Sequence, residues 1–332
     1  MYAPLGEHGQ QRLLASRALV CGCGALGSVI ANTLARAGVG KLRIVDRDFL
    51  EQNNLQRQFL FDEQDVKDGL PKAVAAANHL RGINSQIDIE PIVADVNPDN
   101  IQALCDGVDI ILDGTDNFET RFLLNDAAIK FAIPWIYGGC IGAEGQALTI
   151  MPEISACLRC LLSDAPPPGT TPTCDTAGIL APIIGVIASL QSMEAIKILS
   201  GNAATVSRAL TVIDLWDNSL RQVRVEPLRE AGGCETCGQR QFPWLEGRRG
   251  SHTAVLCGRN AVQLTSPASA HVSLAQLAGK LEPLGPVTRN AYLLRFAIDP
   301  YQLTIFSDGR AIISGTNDVA TARSLYARYI GA

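Results

Sequence analysis

Arg17-Ala18-Leu19-Val20-Cys21 runs directly into Gly22-Cys23-Gly24-Ala25-Leu26-Gly27, and this stretch decides the architecture. A short apolar run entering Gly-x-Gly-x-x-Gly, with an Ala-rich helical pattern behind it to Ala37, reads as strand, phosphate loop and helix. Gly38 and Gly40 stop the helix, and Lys41 to Val45 form the next strand, ending at Asp46. Such a loop turns backbone N–H groups and the positive end of a helix toward a phosphate. Asp46, about 20 residues further on, is placed to accept from a ribose hydroxyl. So far a nicotinamide dehydrogenase fits equally well.

Outward from this unit the alternation continues. Asp88 to Val93 and Val108 to Leu112 read as strands, with helices near Asn100 to Cys105 and over Phe118 to Phe131. Trp135 to Gly138 reads as a strand entering a Gly-rich turn. The pattern predicts an α/β fold with a doubly wound, mostly parallel, Rossmann-like sheet. Residues 164–172 (DAPPPGTTP) form a Pro/Gly/Thr-rich loop. Ile183, Ile184, Val186, Ile187, Leu190, Met193, Ile196 and Leu199 then recur at helical spacing, predicting a core or subunit-interface helix. Ala209 to Leu215 and Leu220 to Val225 read as a hairpin. The expected division is a nucleotide-binding domain over 1–241, a linker over 242–250 and a small α+β domain over 251–332.

Composition removes several function classes. Of 332 residues 47% are apolar and 18% charged, enough for a large core and too apolar for intrinsic disorder. The net charge of -5 and the lack of a long basic run argue against nucleic-acid binding. The apolar stretch Ala177 to Leu190 carries Pro182 and is followed by Gln191, Glu194 and Lys197, which argues against a membrane span. Met1 to Gln10 is polar and does not read as a secretory signal. A cytoplasmic enzyme is expected.

The residues after the second strand do not fit a dehydrogenase. Asp46-Arg47-Asp48 leads to Asn53-Asn54-Leu55-Gln56-Arg57-Gln58 and then Leu70-Pro71-Lys72-Ala73. A later strand ends in Asp113-Gly114-Thr115-Asp116-Asn117, with Arg121 one helical turn beyond. An arginine, a lysine and an aspartate around a phosphate loop suit a triphosphate with magnesium. Arg57 and Lys72 can neutralise charge and Asp116 can hold the metal.

On these segments, together with TCDTAG at 173–178, the sequence resembles the ThiF/MoeB/HesA family of ubiquitin-activating-like adenylyltransferases, from about Leu5 to Gly238. The resemblance implies adenylation of the C-terminal glycine of a ubiquitin-like sulfur carrier of ThiS or MoaD type, with ATP and magnesium consumed. It also implies a homodimer, with a cysteine desulfurase or a rhodanese as sulfur donor. Carried over by motif, Gly22, Gly24, Ala25 and Gly27 cradle the nucleotide, and Asp46 holds the ribose with Asp48 beside it. Asn54, Arg57 and Lys72 face the phosphates, Asn53, Leu55 and Gln56 belong with them to the ATP-binding set, Asp116 coordinates magnesium and Asn117 lines the pocket. Ala25 stands where many relatives have glycine, the smallest departure available.

Ten cysteines in a chain expected in a reducing compartment call for sorting rather than disulfides. Cys157-x-x-Cys160 and Cys234-x-x-Cys237 offer four thiolates for a structural zinc, across a gap of 73 residues. The resemblance points to the same four. Cys174 follows the Pro-rich loop and precedes a helix, where a thiol pKa falls, and is the candidate nucleophile. Cys21, Cys23, Cys105, Cys140 and Cys257 are expected to be structural.

The tail segments LCGRNAVQL (256–264), AYLLRF (291–296), FSDGRAIISGT (306–316) and LYARYIG (325–331) resemble tails of bacterial thiazole-biosynthesis adenylyltransferases. That tilts the carrier toward the ThiS type; a docking or dimer-stabilising role is expected for the tail. Relatives carry an Arg-Tyr-x-Arg-Gln-like segment ahead of the stretch matching Pro4-Leu5-Gly6-Glu7, and its arginine reaches ATP across the dimer. Met1-Tyr2-Ala3 stands there instead, with Arg12 and Arg17 the nearest arginines, so slow adenylation by this chain is expected. Activation of a carrier for molybdopterin or tRNA thiolation, and a catalytically silent nucleotide-binding scaffold, are the competing readings. A tRNA-modifying dehydratase of the same superfamily would want a basic surface that is missing here.

Overall fold

Strands β1 (Arg17–Cys21), β2 (Lys41–Asp46), β3 (Asp88–Val93), β4 (Ile110–Asp113), β5 (Trp135–Ile141), β6 (Glu144–Ile150), β7 (Leu210–Asp214) and β8 (Ser219–Val223) form one sheet in the order 3-2-1-4-5-6-7-8. The computed structural model describes residues 2–166, 177–249, 253–256, 260–264 and 272–330. β3-β2-β1-β4-β5 is parallel throughout, and β6, β7 and β8 extend it as an antiparallel meander. The chain is therefore doubly wound, and because β1 leads to β2 on one side and stands beside β4 on the other, a crevice opens at their carboxyl ends.

Helices α1 (Gly6–Ala15), α2 (Ala25–Ala37), α3 (Glu63–Lys67), α4 (Lys72–Ile83), α5 (Ile101–Cys105), α6 (Phe118–Phe131), α7 (Leu158–Leu161) and α8 (Ala181–Leu199) cover the sheet. One core joins α2, α4 and α8 to one face through Ile30, Leu34, Leu80, Ile183 and Ile187. The other joins α5 and α6 to the opposite face through Leu104, Phe122 and Trp135. α2 ends as its sequence predicts, with Gly38 in the left-handed region at φ 80°. α8 is long and apolar enough to cross a membrane by length and composition alone, yet Ile183, Ile187, Gln191 and Ala195 are buried against α2, β5 and β6. Met193, expected among the core positions of that helix, is 51% exposed.

Two sequence expectations need correction. The strand from Trp135 does not yield to a turn at Gly138 but runs to Ile141 and pairs with β6, which the sequence reading missed. Gly138 is needed inside the strand, since a Cβ there would lie 2.4 Å from Gln191 of α8. The stretch expected as a linker, 242–250, belongs up to Arg249 with the first unit, residues 1–249. Phe242 and Trp244 are buried there, and Trp244 stacks on Phe122 at 5.5 Å.

The second unit, 250–332, is an antiparallel sheet of β9 (Thr253–Leu256), β10 (Ala261–Leu264), β11 (Val287–Arg289), β12 (Leu293–Ile298), β13 (Tyr301–Phe306) and β14 (Ala311–Ser314), ordered 11-12-13-14-10-9. Helices Leu274–Leu281 and Val319–Tyr329 bury Leu277, Leu281 and Ala322 against Val262, Phe296 and Ile305. It is the small α+β unit the tail pattern predicts.

Candidate functional site

The Gly22–Gly27 loop leaves β1 and caps α2, and its shape depends on three glycines in mutual contact. Gly22 has φ +81° and a Cβ on it would meet the Gly114 carbonyl at 2.6 Å; a Cβ on Gly27 would stand 1.9 Å from the Gly22 carbonyl. Gly114, on the exit from β4, packs Cα to backbone on both. Gly27→Ala is therefore expected to displace the loop and abolish nucleotide binding, measured by ATP titration beside a melting curve. Unchanged affinity would show that the loop tolerates the displacement.

Asp46 ends β2 facing the loop, accepting from the Cys23 amide at 2.6 Å and, through its other oxygen, from the Asp48 amide at 2.7 Å. Burial pushes its carboxyl above the ordinary range, and Lys72 draws it back. Lys72, the first residue of α4, is 3% exposed, and its Nζ lies 3.4 Å from the Asp48 carboxylate. The Asn53–Arg57 turn is braced locally. Asn54 accepts from the Glu51 amide and donates to the Asn53 side chain, and Arg57 donates to the Asn53 carbonyl at 3.0 Å. Asn54 thus shapes the turn that presents Arg57. Leu55 packs against the α2 side of the sheet, and Gln56 is exposed. Beyond β4, Asn117 caps α6 by accepting from Thr120 N at 2.8 Å, and Asp116 just before it is exposed.

The loop, Asp46, Lys72 and Asp116 all sit at carboxyl ends of adjacent parallel strands or on the segments that leave them. Arg12 and Arg17 do not join them: Arg12 lies in α1, and Arg17 opens β1 at the end opposite the loop. Cys174 lies outside the described residues, as does Cys257. Cys21, Cys23 and Cys105 are buried and Cys140 half-buried. Burial pushes the Cys105 thiol up to about 12, so it stays protonated.

The structure adds residues that sequence reading left without roles. Asp113 is fully buried and pairs with Arg121 at 3.1 Å, while Arg121 also donates to the carbonyls of Thr115 and Gly138. Gln191 of α8 reaches the Asp113 and Ile136 carbonyls. Together they pin the segment carrying Asp116 to β5 and α8. Arg47 bridges to Asp95 at 3.0 Å and lies 3.9 Å from Asp48, offsetting the acid at this mouth. A β4 terminus in Asp and an arginine eight residues on was the available signal; Gln191 had none.

From Gly138, β5 continues to a cleft of about 450 Å³ whose lining includes Gly142, Glu144, Gly178, Leu180, Asp214 and Trp216. Trp216 is 78% exposed and Leu220, on β8, 65%.

The four paired cysteines converge. Sγ separations are 3.8 Å for Cys157–Cys160, 3.7 Å for Cys157–Cys234 and 3.4 Å for Cys160–Cys237, and all four atoms lie within 4.8 Å of one another. Tetrahedral zinc with Zn–S near 2.3 Å sets neighbouring sulfurs about 3.8 Å apart, so the donor set fits that ion. Arg159 and Glu235 tie the two knuckles with a 2.6 Å ion pair. α6 holds both: Asn125 accepts from the Leu158 amide, and buried Asp126 accepts from Thr236 Oγ1 and the Trp244 amide, each at 3.0 Å. Burial pushes the Asp126 carboxyl up to about 6, with Thr236 and the amides drawing it back. Asp126→Ala strands these donors and should cost about 3 kcal/mol, read as a lower denaturation midpoint. A midpoint within error of the parent would mean that water replaces the carboxylate.

Comparison with known proteins gives concordant findings. The family model described as ThiF family matches residues 1–236. A Bacillus subtilis protein, the sulfur carrier protein ThiS adenylyltransferase, is 44% identical over 332 residues, covering 100% of this chain and 97% of its own length. The SAMP-activating enzyme E1 of Haloferax volcanii is 40% identical over 71% of this chain and 85% of its own. Among solved structures, E. coli MccB superposes with a TM-score of 0.62 over 70% of this chain and 68% of its own; at 22% identity it speaks for the fold alone.

Proposed function

The chain belongs to the ThiF family, and from that premise we propose that it adenylates the C-terminal glycine of a ubiquitin-like sulfur carrier, using ATP and releasing pyrophosphate. The observation that carries the reading is the meeting of the phosphate loop, Asp46, Lys72 and Asp116 at one crevice. The attacking group is a carboxylate, ionised at neutral pH, so no strong base is needed. What the reaction needs is two anions held together and charge stabilised on departing pyrophosphate. The amides opening α2 and the side chains of Lys72 and Arg57 supply positive charge; Asp46 orients the ribose. Asp116 would hold magnesium, which screens the phosphates when bound.

A ThiS-type carrier is favoured, because the Bacillus subtilis match continues through the second unit while the Haloferax volcanii match spans 71% of the chain. The cleft at the end of β5, with Gly142 and Gly178 in its lining, suits a thin, flexible carrier tail, and Trp216 and Leu220 offer apolar surface for its globular part. The four-cysteine cluster takes structural zinc, since its four donors complete a tetrahedron and leave no position for substrate. We place the enzyme in the cytoplasm as a homodimer, with a desulfurase or rhodanese supplying sulfur. ATP–pyrophosphate exchange with a panel of purified carriers tests the reading. Exchange with ThiS-type carriers is expected; no exchange with any carrier would leave the nucleotide-binding scaffold. Cys174 is proposed as the nucleophile of sulfur delivery: Cys174→Ala should keep exchange and reduce thiocarboxylate formation. Lost exchange would overturn that division of labour.

A further inference from the structure

We infer that Gln58 is a further nucleotide ligand, its side-chain amide donating to the phosphate held at the N-terminus of α2. This rests on the reading of the crevice as an ATP site. Gln58 is 3% exposed, and its Oε1 is buried with no hydrogen-bond partner among the described residues. Its backbone is fixed, with the amide donating to the Asn54 carbonyl at 3.0 Å and the carbonyl accepting from Phe61 N at 3.2 Å. The side chain is aimed at Gly24, the N-cap residue of α2, which has no side-chain cap. Gln58 Nε2 stands 3.9 Å from where a Gly24 Cβ would lie, and apart from the chain neighbours of Gly24 no other atom of the described residues comes within 4 Å of that point.

Gly24 differs in this from its neighbours. Gly22 and Gly27 must be glycine because a Cβ would strike backbone oxygens at 2.6 and 1.9 Å. At Gly24 the protein leaves space for a side chain, so glycine there keeps open the room between loop and Gln58. The second glycine of such a loop serves close approach of the backbone to a pyrophosphate. A phosphate in that room meets the α2 amides on one side and Gln58 Nε2 on the other. A buried amide oxygen lacking a donor is unfavourable in the free protein. A bound nucleotide brings O–H donors to it, on its ribose and on water around its magnesium. Gln58 thus adds a neutral, directional contact to the charges of Lys72 and Arg57.

The test titrates the full chain and its variants with magnesium-ATP and, separately, with adenosine, which lacks the phosphates. Gln58→Glu keeps the shape and sets a carboxylate against phosphate, so ATP should bind about tenfold more weakly or worse while adenosine is unchanged. Gln58→Met removes the donor without adding charge and should give a smaller loss, again confined to ATP; it carries the test if the glutamate variant does not fold. ATP and adenosine weakening together, or neither weakening, would overturn the assignment and leave Gln58 a packing residue. The split between ligands with no carrier supporting exchange would uphold Gln58 and reject the proposed reaction. Normal exchange without the split would do the reverse.

Discussion

Asp116→Asn is expected to cut ATP–pyrophosphate exchange by about 10²-fold or more while nucleotide binding without magnesium stays near the parent value. The expectation comes from how the loop after β4 is built. Thr115 is locked, its amide and hydroxyl on Asp113 and its carbonyl on Arg121. Asn117 is locked as the cap of α6. Asp116 between them is exposed, and its carboxylate makes no hydrogen bond among the described residues. A rigid loop that presents one such carboxylate beside a phosphate site is suited to a hard cation. The asparagine keeps volume and loses charge, so the loop should hold its shape and the melting temperature should not move. The magnesium concentration for half-maximal exchange should rise with the loss of rate. Near-normal exchange would mean that the metal is held elsewhere.

Most of the first unit was legible because its signals are local. β1, the loop and α2 combine an apolar run, glycines with steric duties and a left-handed stop at Gly38, all within 17–38. α6 starts and ends where the pattern places it, at Phe118 and Phe131. The errors arose where tertiary contacts override local composition. Gly138 and Gly139 look like a turn, but Gln191 from α8 occupies the space over Gly138 and donates to the Ile136 carbonyl, and both glycines pair with β6. Phe242-Pro243-Trp244 looks like the start of a linker, but Asp126, more than a hundred residues earlier, accepts from the Trp244 amide and holds it in the core. Asp46, Lys72 and Asp116 could be singled out by type and order. The buried Asp113–Arg121–Gln191 network could not, since a glutamine in an apolar helix carries no mark of its partners.

Zinc removal should separate stability from nucleotide binding, and this is the second large effect expected. The cysteine cluster joins the segment after β6 to the segment after β8, closing a loop from Cys160 to Cys234 that includes all of α8. Its thiolates gain their geometry only in the folded chain, so metal affinity adds to folding free energy. Chelation, or Cys157→Ser, should therefore lower the melting temperature by about 10 °C or more. The knuckles dock on α6, on the face of the sheet that holds Phe122 and Trp244. α2 and α4, which carry the phosphate loop and Lys72, pack on the other face. ATP affinity at temperatures below the new transition should thus change little. The first functional loss should be in magnesium-dependent exchange, because α6 also carries the cap beside Asp116. One zinc per chain is expected by metal analysis. Well under one, with four thiols free to titrate in native protein, would reject the metal site. ATP affinity falling in step with the melting temperature would show instead that the two faces of the sheet are coupled more tightly than their separate cores imply.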